Sequence, residues 1–365
     1  MVLKETEQKE RDVIMDKHTV NKFGEGWLSD ESDFLNKKVY VLCCACMSIY
    51  AEFLSYANSN PDVEFVLDPN KADAIVVLGC QVTDLAVLND LKTLTNLMQK
   101  HNKEFYVGGC LAKRFDIQLP ETVKRLTNIK MDATIIMDRK IIEYQSPFWI
   151  SPTKTIETEQ AEQELIQGNL FRNMYPLRIS SGCKNKCSYC SIPIMREGYQ
   201  KTFFKEEEFI LSIYNKNFNG SVVAISDNLS VDELGHLCLL SMTRNIPISI
   251  RNVEPVTLLH TEKNLKILAD NKLLKIVHCP VQAFDKETLE DMNRSYTVKN
   301  LLPIFHYLKQ KGVILATNVI IDYKNFPNPL EDPMIDIFDY VSWNPYWDGV
   351  WNIDNAARRF EKYLS

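Results

Sequence analysis

The sequence predicts a two-domain α/β protein: an N-terminal doubly wound parallel-sheet domain followed by a partial (β/α)6 TIM-like barrel. Three observations predict it. Short runs of β-branched and aromatic residues alternate with helical stretches along most of the 365 residues, and strand–helix alternation implies parallel sheets covered by helices. A Pro-bearing, acidic, Gln-rich interval at 146–174 splits that alternation in two. Six strand–helix units follow it, enough for an open barrel but not for a closed eight-stranded one.

The elements follow in order. Residues 1–36 form a polar extension, with a helix expected from about Thr6 to Asn21 and ended by Gly24 and Gly26. It is either a solvated arm or an element that holds a partner or substrate. The first domain, 37–145, has strand candidates at Val39–Leu42, Ala74–Leu78, Glu104–Val107 and Ile135–Met137, with helices near 49–58 and 86–101. Residues 146–174, broken by Pro147 and Pro152, read as a linker. The second domain, 175–365, has strand candidates at Leu177–Ser180, Ser221–Ile225, Ile246–Arg251, Leu274–His278, Val313–Ile321 and Tyr340–Asn344. Ser230 and Glu233 have the spacing of a capping box, and a last helix is expected at about 353–364.

Composition narrows the class. Apolar runs are too short to span a bilayer, and the charged opening MVLKETEQKERDV is not a secretory signal. A cytoplasmic protein with no membrane partner is therefore expected. Net charge is −6, with only small basic clusters such as Lys184, Lys186 and Arg196, which argues against a nucleic-acid substrate. Ten cysteines in a reducing compartment point to metal or redox chemistry where they cluster. Isolated ones read as small core hydrophobes.

The segment Arg178–Cys190 carries the chemistry. Cys183, Cys187 and Cys190 lie within eight residues on a Gly-started loop directly after the first barrel strand. Such a loop wraps three thiolates around three corners of a [4Fe–4S] cubane. The fourth iron is left open to chelate the amino and carboxylate groups of S-adenosylmethionine (SAM). Structural zinc would want a fourth ligand nearby, and the segment offers none. Arg196, Asn228, Arg251 and Gln282 fall near strand ends, where a few placed polar groups would hold the SAM carboxylate, ribose or adenine edge. Arg251 has a structural alternative in pairing with Glu254.

Cys46, Cys80 and Cys110 each follow a strand candidate, 34 and 30 residues apart. In a parallel sheet the C-terminal strand ends share one edge, so three thiolates converge there; the alternative is three buried core cysteines. Gly79, Gly108 and Gly109 let the backbone approach closely. Cys43, Cys44 and Cys238 read as core. Cys279 fits core or cavity equally. Trp343, Tyr346, Trp347 and Trp351 read as a hydrophobic lid or plug rather than a stacking site.

The CxxxCxxC loop, with Tyr189 before its last cysteine, resembles the radical SAM superfamily. Joined to the three N-terminal cysteines it resembles the methylthiotransferase family, over about residues 37–350. Supporting matches are Ala72–Cys80, Val107–Ala112, Cys187–Gly198, Asp227–Asn228, His278–Gln282 and Met292–Ser295. The resemblance implies reductive SAM cleavage to a 5′-deoxyadenosyl radical, with Tyr189 packed near adenine. It also implies an auxiliary [4Fe–4S] cluster on Cys46, Cys80 and Cys110, two SAM per turnover, and a reductant such as flavodoxin or ferredoxin. Met47-Ser48-Ile49 stands where the family has Gln-x-Asn, and Asp322–Pro327 replaces a Gly-Phe-Pro-Gly-Glu-Thr segment. The resemblance stops before the family's C-terminal TRAM domain. The expected activity is therefore replacement of a C–H hydrogen by a methylthio group on a peptide or protein, a ribosomally made peptide being favoured over tRNA. Another radical SAM peptide modification is the remaining alternative.

Overall fold

In the segment Lys38–Cys43 every residue after the first is buried, and all six residues of Ala74–Gly79 are buried. Strands with both faces covered belong inside a parallel sheet. The computed structural model describes residues 28–29, 34–60, 62–126, 143–144, 149–152, 174–195 and 221–364. The expected helix at 6–21, the strand at 135–137 and Arg196 lie outside them.

The first sheet contains β1 (Leu28–Ser29), β2 (Lys38–Cys43), β3 (Glu64–Val66), β4 (Ala74–Gly79), β5 (Glu104–Gly108), β6 (Val123–Leu126) and β7 (Glu143–Tyr144). Its order is β1-β6-β5-β4-β2-β3, with β7 also pairing β2, and every pairing is parallel. Helices α1 (Met47–Ser59) and α2 (Asp84–Lys100) follow β2 and β4, and a single turn, α3 (Gly109–Ala112), follows β5. Thr83 starts α2 by accepting the Ala86 N–H on its hydroxyl. The short strands β3 and β6 were not anticipated, because three or four residues carry too little periodicity.

The second sheet runs β9 (Tyr175–Arg178), β10 (Val222–Ile225), β11 (Ile248–Arg251), β12 (Leu274–His278), β13 (Ile314–Ile321) and β14 (Tyr340–Pro345). These six neighbour one another in chain order, all parallel, as an open barrel requires. Its helices are α4 (Ile192–Met195), α5 (Val231–Arg244), α6 (Pro255–His260), α7 (Glu262–Asp270), α8 (Lys286–Asp291), α9 (Val298–Gln310) and α10 (Ile353–Leu364). The capping box on α5 forms in both directions: Glu233 N–H donates to Ser230 Oγ, and Ser230 N–H to Glu233 Oε2.

One expectation needs correction. The interval 146–174 is not all linker: β8 (Trp149–Pro152) pairs antiparallel with β14 at the sheet edge. Pro is tolerated on such an edge strand, so Pro152, read as part of a break, lies in the rim strand instead.

The domains share apolar packing. Val223, Ile225 and Ile276 of the barrel belong to the same buried cluster as Val39, Val41, Phe53 and Leu54. Across the other side, α10 returns to α2: Arg359 Nε lies 3.1 Å from Asp84 Oδ2, and Lys92 Nζ sits 3.7 Å from the Phe360 ring centroid. Trp351 packs against the first domain's core while Trp343 and Tyr346 pack against the barrel's. The aromatic group in and after β14 thus joins the two halves.

Candidate active site

Three adjacent strands of the first sheet end level: Cys43 is opposite Leu78, and Leu78 opposite Gly108. A further bridge joins Gly79 to Gly109. Cys80 and Cys110 lie two residues past this line and Cys46 three, so sheet register brings all three to one edge. Cys46 is the N-cap of α1; Cys110 sits in α3. The approach is tight: a Cβ on Gly79 would stand 2.6 Å from Leu111 Cδ2, and one on Gly109 (φ +71°) 2.7 Å from the Gly79 carbonyl oxygen. Burial pushes the Cys80 thiol well above its ordinary range, and Cys46 and Cys110 add to the shift by charge repulsion. The three sulfurs therefore share one electrostatic environment. Cys43 and Cys44 are core: Cys43 lies within β2, fully buried.

Sequence reasoning missed Asp90. It is fully buried on α2, accepts the Cys80 N–H at 2.6 Å, and burial holds its carboxyl well above the carboxylate range. A lone helical Asp carries no signal that tertiary packing will enclose it.

In the second sheet the loop 183–190 leaves the end of β9. Burial raises the Cys183 thiol, opposed by the Asn185 N–H at 3.4 Å from its sulfur and by the Asn228 side-chain amide. Burial likewise pushes Cys190 up to about 12, with Cys187, Cys183 and Asp227 adding repulsion. Segment 291–294 clamps the loop. The Ser188 N–H donates to Met292 O at 3.1 Å, Ser188 Oγ to Asp291 O at 3.0 Å, and Asn293 Nδ2 to Lys186 O at 2.7 Å. Arg294 Nη1 reaches Cys187 Sγ at 3.4 Å. Asn293 takes φ +58°, which Asn tolerates. Arg294 was legible only as part of a matching segment, because its target is 107 residues away.

One layer of the barrel mouth contains Arg178, Ile225, Arg251, His278 and Ala316, paired strand to strand. His278 Nδ1 accepts the Asn252 N–H at 3.3 Å, and Nε2 lies 2.8 Å from Asn318 Oδ1. The ring is therefore the neutral Nε2–H tautomer, and burial with the nearby Arg251 charge lowers its pKa to about 3. Cys279 is fully buried in the core cluster, which decides it as core. The alternative pairing of Arg251 with Glu254 is not the one found among the described residues: Glu254 Oε1 lies 3.6 Å from Arg294 Nη2.

The site residues fit a bound polar cofactor. Among the described residues, Asn228 Oδ1 and Arg251 Nη1 are buried without a hydrogen-bond partner. One is an acceptor beside Cys183 and the other a donor, at the ends of neighbouring strands. Buried polar atoms are rarely left so without a ligand or water to satisfy them. Half-buried Tyr189 packs on the barrel core, its hydroxyl pushed well up by burial against the opposing Arg294 charge. Gln282 is strapped along β13: its N–H donates to Asn318 O at 2.8 Å and its carbonyl accepts from Ile320 N at 2.9 Å. The donor set also suits a cluster. Each thiolate of a cubane binds its own iron, and each of the two sheets carries three cysteines at or just past its strand ends.

The family model of the radical SAM superfamily matches residues 177–332. Ribosomal protein uS12 methylthiotransferase RimO of Clostridium botulinum (strain Loch Maree / Type A3) is 26% identical over 325 residues, covering 82% of this chain and 70% of that protein. The protein of the same name from Acetivibrio thermocellus is 24% identical over 340 residues, covering 84% and 72%. A solved structure of the radical SAM methyltransferase TsrM from Kitasatospora setae, with tryptophan and a SAM analogue, aligns with TM-score 0.49 and 10% identity over 78% of this chain and 67% of that one. Similarity to the methylthiotransferases covers 82% of the chain and so extends beyond the radical SAM domain at 177–332, which supports a place in the radical SAM methylthiotransferase family.

Proposed function

We propose that the protein replaces a C–H hydrogen of a peptide or protein with a methylthio group, using two [4Fe–4S] clusters and two SAM molecules. Cys183, Cys187 and Cys190 would hold the first cluster; Cys46, Cys80 and Cys110 the auxiliary one. When bound, the first cluster and SAM supply one-electron reductive cleavage and hydrogen abstraction, while the protein positions and shields them. The chain's own part is geometric. Segment 291–294 holds the cysteine loop, Asn228 and Arg251 present the acceptor and donor that would meet SAM, and Tyr189, Arg196 and Gln282 would complete its pocket. The carrying observation is that Asn228 spans both partners: its amide touches Cys183 while its carbonyl oxygen is buried and unmet among the described residues.

A protein substrate is favoured because the relatives are named for modifying ribosomal protein uS12 and this chain is acidic overall. A ribosomally made peptide is the specific form proposed, with tRNA the second reading. Among the described residues no helix is long and apolar enough to cross a membrane. The test is anaerobic reconstitution with iron and sulfide, then SAM and a flavodoxin or dithionite reductant. About eight irons per chain are expected, and 5′-deoxyadenosine should form. Replacing Cys183 should abolish that product, whereas replacing Cys80 should leave it and remove about four irons. Four irons in the intact chain would defeat the two-cluster reading. Mass spectrometry of coexpressed peptides encoded nearby should show a methylthio gain; the same gain in tRNA nucleosides alone would overturn the peptide substrate.

A further inference from the structure

Three buried charges lie where the two domains meet. Arg178, at the end of β9, places Nη2 at 2.7 Å from Glu52 Oε1 and 3.2 Å from Asp227 Oδ2. The side chains of Arg178, Glu52 and Asp227 are 3%, 10% and 4% exposed. Glu52 is on α1, the helix capped by Cys46. Asp227 accepts the Gly182 N–H at 2.9 Å and the Ser181 hydroxyl at 3.4 Å, just ahead of Cys183. A continuous line therefore runs from Cys46 along α1 to Glu52, through Arg178, to Asp227 and the cysteine loop. Val223, Ile225 and Ile276 pack into the first domain's core around this joint, so water does not screen it.

The charges are close enough to matter for whatever the loop binds. Asp227 adds repulsion at both Cys183 and Cys190. Glu52 and Asp227 thus set two carboxylates on one guanidinium beside the loop. Buried ion pairs gain little net stability over apolar packing, and in some proteins they fix one arrangement.

We infer that the Glu52–Arg178–Asp227 triad is the joint that fixes the auxiliary cysteine edge relative to loop 183–190 and sets the charge felt by a cluster on that loop. These are positioning residues. The inference rests on the two-cluster reading, and it assigns the three a role beyond folding. Reduction adds negative charge to a cluster, so a neighbouring carboxylate holds the potential lower than a neutral group would. Removing the Glu52 charge raises it.

The experiment uses the full chain, reconstituted, with Glu52→Gln, Glu52→Asp and, as control, Glu64→Gln at an exposed surface pair with Lys38. Redox titration followed by electron paramagnetic resonance reads the potential; spin relaxation between the clusters reads their separation. Glu52→Gln is expected to shift the potential of the 183/187/190 cluster upward and to alter inter-cluster relaxation, with iron content unchanged. Glu52→Asp keeps the charge and loses reach, so it should restore the potential but not the relaxation. Glu64→Gln should change neither. Both quantities at wild-type values in a two-cluster Glu52→Gln protein would overturn the inference. Should Glu52→Gln fail to fold, unaltered relaxation in Glu52→Asp overturns it equally. A wild-type chain with only one cluster defeats the functional reading instead, and the triad's effect on potential is then read on that cluster alone.

Discussion

Arg294 Nη1 stands 3.4 Å from the sulfur of Cys187, and the same guanidinium donates to Pro280 O at 3.1 Å. With Glu254 Oε1 at 3.6 Å, one buried cation ties the cysteine loop to the barrel wall. Replacing Arg294 with Gln leaves Glu254 without its partner in a largely dry site. Breaking such a pair typically costs about 3–5 kcal/mol. Arg294→Gln is expected to lower the melting temperature and reduce retained iron, measured by thermal unfolding and metal analysis. Wild-type iron and stability would show the contact to be incidental.

Asn228→Ala removes both the amide beside Cys183 and the buried carbonyl oxygen. A single hydrogen bond is worth about 0.5–1.5 kcal/mol net, so SAM binding should weaken roughly three- to tenfold. Equilibrium dialysis on reconstituted protein measures it. Unchanged affinity would remove Asn228 from the SAM site.

Gly109→Ala should disturb only the auxiliary edge. The added methyl would meet the Gly79 carbonyl at 2.7 Å, on a backbone with φ +71°, and the conformation alone costs roughly 1–2 kcal/mol in an L-residue. Loss of about four irons is expected, with 5′-deoxyadenosine formation intact. If 5′-deoxyadenosine formation fails as well, the two halves are not separable in this way.

His278 makes stability depend on pH. Its pKa falls to about 3 on folding, from about 6.5 in the unfolded chain. Between those values the unfolded state binds the proton and the native state does not, so stability falls as pH drops below about 6.5. At pH 5 the loss is about 2 kcal/mol. His278→Gln should flatten the difference in melting temperature between pH 7 and pH 5. An unchanged difference would mean the ring titrates alike in both states.

Much of this protein is determined by local sequence. The six barrel strands were legible because β-branched runs recur at βα-unit spacing, and observed bounds shift by at most two residues. The Ser230–Glu233 cap forms as its spacing demands. Loop 183–190 was legible because its three cysteines lie on one short stretch, where chain connectivity alone keeps them together. Cys46, Cys80 and Cys110 were expected just past strand ends, and the register of the tertiary structure puts those positions at one edge: adjacent strands β2, β4 and β5 end level. Only the fold could reveal Asp90 under Cys80, Arg294 on Cys187, or Glu52 on Arg178. Those contacts join residues 10, 107 and 126 positions apart. Periodicity reports which face of an element is buried. It carries no record of which distant side chain will meet it there, because that depends on how whole strands and helices pack.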